Sequence, residues 1–395
     1  MTEKSDWWAI LSAFLVGVAG AVQVGRVAPV APFLQQDLQL DLLVLGWLVS
    51  LITLASALFG LLAGYWVVRN GLRVSLLIGA VLMGACAIVA ALATSVPMLI
   101  GARVIEGFGY LTVVVAAPTL IAREATQKDA PFALAIWGTF FTLGLSIAAF
   151  AGGVISEVID WRGWFFGSAG LVLLAAFVAL VSTPKDATKT EASSDVWNTF
   201  SDMPRASWLL GSAFLGLTLL TLSILSLLPT FLVQEHAFTP SAAGGLTGGV
   251  ALASIAGSLS YGMLANRFTE TIITSGASIA LIASAFPTFA SVAAPSQIVP
   301  FAVVAIFMSG ILVAQTFAAV PRIAGTPRLI GPSNGLVAQL GSIGALTGPP
   351  MVGALISVAD WNVVPMVVAG FTMSFALLFI FALKSHDAPP LKDMT

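Results

Sequence analysis

The sequence predicts an all-α, polytopic membrane protein with twelve transmembrane helices in two six-helix bundles. Three observations carry this prediction. Of 395 residues, 58% are hydrophobic and 9% charged, with a mean hydropathy of +1.01, whereas soluble domains are about 25% charged. Apolar segments of the roughly twenty residues needed to cross the hydrocarbon core recur along the whole chain. The longest polar run falls in the middle and divides those segments six and six.

The first six segments lie at about 8–34, 42–66, 74–95, 97–122, 131–156 and 163–182. Residues 1–182 would form the N-terminal bundle. A cytoplasmic linker at 183–207 follows, carrying Lys185, Asp186, Lys189, Glu191, Asp195, Asp202 and Arg205. The C-terminal bundle, 208–395, would hold the remaining segments at about 208–233, 241–265, 271–294, 297–323, 331–357 and 363–383. The first segment is too long for a signal-peptide core and lacks a small-residue cleavage site, so it is expected to stay as the first span.

Lysine and arginine set the orientation. With both termini in the cytoplasm, all sixteen lie inside except Arg162, which is outside, and Arg26 and Arg103, which lie within spans. The outer loops instead carry Asp37, Asp41, Glu157, Asp160, Glu235 and Asp360. Short loops suggest a bacterial inner membrane. A net charge of -2 without a basic block gives no reason to expect nucleic acid as a partner. A single cysteine, Cys86, excludes an intramolecular disulfide and a cysteine-rich metal site. Neither a nucleotide-binding P-loop nor a nucleophile–base pair is present, so the chain is not expected to be an enzyme and no cofactor is implied.

The halves repeat each other. Pro32-Phe-Leu-Gln-Gln-Asp37 matches Thr230-Phe-Leu-Val-Gln-Glu235, and Gly64-Tyr-Trp-Val-Val-Arg69 matches Gly262-Met-Leu-Ala-Asn-Arg267 at the same offset. Gly144, Gly153, Asp160 and Trp161 match Gly344, Gly353, Asp360 and Trp361 at an offset two residues longer. Parallel repeats of this kind place a substrate site at their interface near mid-membrane.

On these motifs the chain resembles the major facilitator superfamily of secondary transporters, over nearly its whole length. The family's loop motif between spans 2 and 3, G-x-x-x-D-R-x-G-R-R, is met by Gly64, Arg69, Gly71 and Arg73, with Val68 and Leu72 departing from it. Gly262 and Arg267 repeat it in the second half. Arg103-x-x-x-Gly107-x-Gly109 is similar to the span-4 motif, whose arginine the family links with substrate or proton coupling. The span-5 glycine–proline motif of drug antiporters keeps its glycines but has Ala149 where the proline belongs; Gly348-Pro349-Pro350 retains it in the other half. Asp160-Trp161-Arg162-Gly-Trp164-Phe165 resembles the family's entry to span 6. The span-1 arginine is similar to the cyanate/nitroimidazole permease branch. Nitrate-type porters are expected to carry arginines on spans 2 and 8, where none is found here.

The candidate site rests on charge inside spans, which is costly and usually faces a water-filled path. Arg103 and Glu106, three residues apart, share a helix face. Arg26 lies eleven residues before Asp37, about 16 Å along a helix, at a depth comparable to Arg103. The resemblance implies that spans 1, 4, 7 and 10 line the central cavity, where Arg26, Arg103 and Glu106 would meet. Two arginines and one glutamate sum to +1 and suit a monoanion bound by the guanidinium fork. Glu106 would couple a proton; the alternative is a permanent ion pair that locks the bundle. Gln23 and Tyr110, each one turn away, would support the cluster. Trp137, deep in span 5, and Gln315, mid-span 10, are further candidates for contact with the substrate, packing being the alternative for Trp137.

The expected function is a monomeric secondary transporter importing a small anionic solute with protons, sodium being left open as the coupling ion. The lipid bilayer is its other partner. Its rivals are an exporter of drugs or metabolites and a non-transporting receptor or assembly factor on the same scaffold.

Overall fold

The computed structural model describes residues 4–40, 42–185, 196–238, 240–289 and 295–387. The centre of the polar linker (186–195), the end of the ninth predicted span (290–294), Asp41 and both chain ends lie outside the described residues. Among the described residues there is no strand. Every backbone polar group in hydrocarbon needs a partner within its own segment, which only a helix supplies without a closed sheet.

Fifteen helices are found among the described residues: α1 Trp7–Gly25, α2 Ala31–Leu38, α3 Leu42–Asn70, α4 Leu72–Ala91, α5 Val96–Glu124, α6 Ala130–Gly138, α7 Phe140–Val158, α8 Trp161–Ser182, α9 Val196–Ser201, α10 Arg205–His236, α11 Pro240–Leu264, α12 Glu270–Thr288, α13 Pro295–Ala324, α14 Pro327–Ala359 and α15 Val363–Asp387. They make 12 segments long and apolar enough to cross a membrane. The chain divides into two compact units, Met1–Asp195 and Val196–Thr395.

Three departures from the predicted spans have identifiable causes. Span 1, read as one helix over 8–34, ends at Gly25, passes through a single 3₁₀ turn at Ala28–Val30 and restarts at Ala31. Pro29 lacks an N–H, and its ring crowds the carbonyl four residues back, so the helix ladder cannot continue. Span 5 is interrupted at Thr139, whose amide bonds to Ile136 O at 3.0 Å in a tighter turn. Span 9 begins one residue earlier than expected, at Glu270, placing an acid in its first turn, where the helix dipole favours negative charge.

Local chemistry sets other boundaries. Asp6 caps α1 by accepting from the Ala9 amide at 3.1 Å, and Asp160 caps α8 by accepting from the Gly163 amide at 2.6 Å. Between α3 and α4, Gly71 has φ 97, a conformation that a side chain would strain.

Within the first unit α1 packs against α5, α7 and α8, while α3 and α4 flank α5. Within the second, α10 packs against α13, α14 and α15. The repeat reappears as a contact: Gly144 of α7 meets α1, where an added Cβ would lie 2.6 Å from Val18 O, and Gly344 of α14 meets α10, with 2.3 Å to Leu215 O.

Candidate functional site

The break in span 1 decides where the buried charges sit. Ending α1 at Gly25 leaves its last carbonyls without intrahelical partners, and α5 supplies the donors. Arg103 gives Nη1 to Gln23 O at 2.7 Å and Nη2 to Val24 O at 3.0 Å. Its Nε reaches Leu48 O of α3 at 2.7 Å. Nη1 also meets Glu106 Oε2 at 2.9 Å, one turn along the same helix. Arg103 thus ties three helices together and is 2% exposed.

Arg26, 1% exposed, approaches Glu106 from the other side. Its Nη2 donates to Oε2 at 3.0 Å and its Nη1 lies 2.9 Å from Oε1. Nη1 also donates to the side-chain oxygen of Gln23. The guanidinium carbon stands 4.5 Å above the centre of the Phe165 ring, and Arg26 O accepts from Trp164 Nε1 at 3.0 Å. Gln23 is fully buried and donates Nε2 to Ser168 O at 2.8 Å. Glu106, also fully buried, therefore joins two guanidiniums, leaving one net positive formal charge in the interior of the first unit. Among the described residues Arg26 Nε has no hydrogen-bond partner. Such a cluster is costly to assemble and more costly to leave half-paired.

The structure brings together four of the expected residues, Gln23, Arg26, Arg103 and Glu106. Tyr110 lies one turn below, buried, its ring 3.6 Å from the position a Cβ on Gly20 would take. Trp137 is fully buried, stacked on Phe140 at 4.0 Å, and abuts Gly17. Gln315 belongs to the second unit. There its amide donates to Glu270 O at 2.9 Å and Oε2 at 2.6 Å, and its oxygen accepts from Thr274 at 3.2 Å.

Sequence reasoning missed two sets of residues. Glu270, Tyr261 and Thr274 surround Gln315, with Tyr261 donating to Glu270 Oε1 at 2.9 Å; the expected boundary at 271 hid that acid outside the span. Trp164, Phe165 and Ser168 of α8 hold Arg26 and Gln23; their signal was the aromatic block opening span 6.

The loop-motif residues lie at the other end of the first unit. Arg73 reaches Leu180 O, near the C-terminus of α8, at 2.5 Å, a position where a cation meets the negative end of a helix. Arg69 donates to Tyr65 at 3.1 Å. Gly64 lies within α3 and Gly71 between α3 and α4. In the second unit Gly262 lies in α11, and the Arg267 amide closes the turn onto Leu264 O at 2.9 Å.

The chain is similar to the arabinose-proton symporter of Escherichia coli, 26% identical over 186 residues that make up 47% of this chain and 39% of that one. The aligned stretch thus spans about two fifths of that relative. It is also similar to multidrug resistance protein 2 of Bacillus subtilis, 24% identical over 407 residues and 98% of each chain. Among solved structures, that of the human organic anion transporter MFSD10 superposes with a TM-score of 0.76 at 15% identity, covering 97% of this chain and 100% of that one. The family model described as the Major Facilitator Superfamily matches residues 9–331. With twelve spans, a repeat in two halves and a match over most of its length, this chain belongs to the major facilitator superfamily, a family of transporters rather than enzymes.

Proposed function

We propose that this transporter works by alternating access and carries a small organic or inorganic monoanion, such as a carboxylate, in symport with protons. The observation that carries the proposal is the unbalanced buried cluster: two guanidiniums share one carboxylate, and Arg26 Nε is unpartnered among the described residues. Protonation of Glu106 would release Arg26, and an incoming carboxylate would take the vacated fork. A proton and a monoanion entering together leave the buried charge at its resting value, so neither state adds an uncompensated charge. Arg103 stays on its carbonyls and supplies the second positive charge, while Gln23 orients Arg26. Proton coupling is further supported by the relation to a proton symporter. The reading places the protein in a bacterial inner membrane as a monomer with both termini cytoplasmic; sodium remains the alternative coupling ion.

One observation favours a second reading, export of drugs or metabolites: the match to multidrug resistance protein 2 runs the length of both chains. A thermal-stability panel on the purified protein separates the two. It comprises sodium lactate, benzoate and nitrate at constant ionic strength, xylose and arabinose, and tetraphenylphosphonium. A ligand at a hundredfold excess over its Kd adds about 2.7 kcal/mol. The proposal expects at least one anion to raise the melting temperature and Arg26→Gln to abolish the response. Stabilisation by tetraphenylphosphonium alone supports the exporter, and stabilisation by the sugars alone refutes the anion.

A further inference from the structure

Trp164, Phe165 and Ser168 stand at i, i+1 and i+4 of α8 and so share one face of span 6. All three are buried, and all three act on the charged segment of span 1. Trp164 Nε1 holds the Arg26 carbonyl at 3.0 Å. Phe165 lies under the Arg26 guanidinium at 4.5 Å. Ser168 accepts from Gln23 Nε2 through its carbonyl at 2.8 Å, and its hydroxyl is shared between Phe165 O at 2.9 Å and Gln23 Oε1 at 3.3 Å. Gln23 in turn accepts from Arg26. Span 6 therefore grips Arg26 directly at its backbone and its ring-facing surface, and reaches its fork through Gln23. Arg103 is held differently, by backbone carbonyls of α1 and α3 and by Glu106.

The internal repeat supplies an independent comparison. At the offset that pairs Asp37 with Glu235, Arg26 corresponds to Ile224 and Gln23 to Thr221. At the offset that pairs Asp160 and Trp161 with Asp360 and Trp361, the bracket residues correspond to Val364, Pro365 and Val368. The second half keeps the helix-opening Asp-Trp pair but has neither the charge nor the bracket. Trp361, the counterpart of Trp161, has its ring 5.0 Å from Phe231 and 6.3 Å from Phe289. Trp164, Phe165 and Ser168 thus accompany Arg26 rather than the fold.

We propose that this face of span 6 is the positioning element of the Arg26–Glu106 pair, holding Arg26 for Glu106 and setting how readily it exchanges that carboxylate for an anion. The inference rests on the proposed anion site for its functional consequence but not for its test. A desolvated guanidinium over an aromatic face gains from the ring's quadrupole, and fluorination weakens that face stepwise while nearly preserving its shape.

The experiment incorporates mono-, di- and trifluorophenylalanine at position 165 and measures the melting temperature in wild-type and Arg26→Gln backgrounds. The expected result is a stepwise loss, about 2–4 °C in all, that disappears when Arg26 is replaced. Equal losses in both backgrounds would make Phe165 mere packing and overturn the proposal. Ser168→Ala gives a second arm: it should lower the midpoint with Gln23 present and have no effect on Gln23→Leu, and an undiminished effect there counts against the bracket. The half-saturating concentration of lactate, benzoate or nitrate, whichever stabilises the protein, should change severalfold along the fluorinated series. Arg26-dependent steps without any response to these anions would sustain the bracket and defeat the anion reading. A response to anions without Arg26-dependent steps would do the reverse.

Discussion

At the scale of single residues, the two buried arginines have the same charge and different work. Arg103 spends its donors on three carbonyls from two other helices and on Glu106, which is the task of a planar fork that lysine's point charge cannot perform. Arg103→Lys should therefore destabilise the protein nearly as much as Arg103→Ala, by about 3–5 kcal/mol as expected when one member of a buried ion cluster is lost. Arg26→Gln removes the excess charge while leaving Glu106 paired with Arg103, and should cost less than half as much. Melting temperatures of the three variants check this order; equal losses for the two arginines would contradict the division of roles. In proteoliposomes, Glu106→Gln should abolish accumulation of the stabilising anion driven by a pH gradient. Retained accumulation would remove Glu106 from coupling.

Elements show how short sequence features act through packing. Gly144 and Gly344 play one part in two places, letting α7 approach α1 and α14 approach α10 at distances a Cβ would violate. Gly344→Val should lower stability by at least about 1–3 kcal/mol, the usual cost of overpacking, and a neutral substitution would show that α14 shifts freely. On the cytoplasmic side of the predicted topology, Ser5 pins the chain's start to the α5–α6 turn. Its hydroxyl donates to Asp129 Oδ2 at 2.5 Å and accepts from the Thr126 amide at 2.9 Å. Hydrogen bonds from Ser5, then Thr126, hold the Asp129 carboxyl below its ordinary 3.8. A depressed carboxylate stabilises the fold above its unfolded pKa and loses that contribution as pH falls through the folded value. Amide exchange at Thr126 should thus be unaffected by protonation of Asp129 between pH 7 and 5, with protection lost only below 3.8. Ser5→Ala should move that loss to higher pH. Protection already falling near pH 5 in the wild type would exclude the pin.

For the whole molecule, the repeat shared an architecture between the halves but not a charge distribution. Arg26, Arg103 and Glu106 are buried in the first unit, whereas at the offset of the repeat they correspond in the second to Ile224, Phe301 and Val304, none of them charged. Its polar cluster around Glu270 and Gln315 gathers instead at the start of α12. Orientation can be tested on the full chain with Cys86→Ser as background. A membrane-impermeant maleimide should label Glu235→Cys in intact cells and Asn266→Cys only after permeabilisation. The opposite pattern would invert the topology.

Composition and span length by themselves determined a twelve-span membrane protein, because a bilayer tolerates few solutions for an apolar chain and each announces itself over twenty residues; the likeness to this family rested on the motifs at Gly64, Arg69, Gly71 and Arg73 and at Arg103. The charges at 26, 103 and 106 were equally legible, being rare where they stand. Their meeting was expected from the family resemblance, but the partners that hold them were not legible, since these depend on Pro29 ending α1 and on which carbonyls that break exposes to Arg103. The aromatic block with Trp164 and Phe165 at the opening of span 6 was visible in the sequence, but nothing in a run of aromatic and small residues says which helix it will face. Gln315 read as a mid-span ligand, and packing placed it on Glu270. Tertiary structure decided these points because a buried polar group must find its partners in three dimensions, and those partners lie up to 145 residues away along the chain.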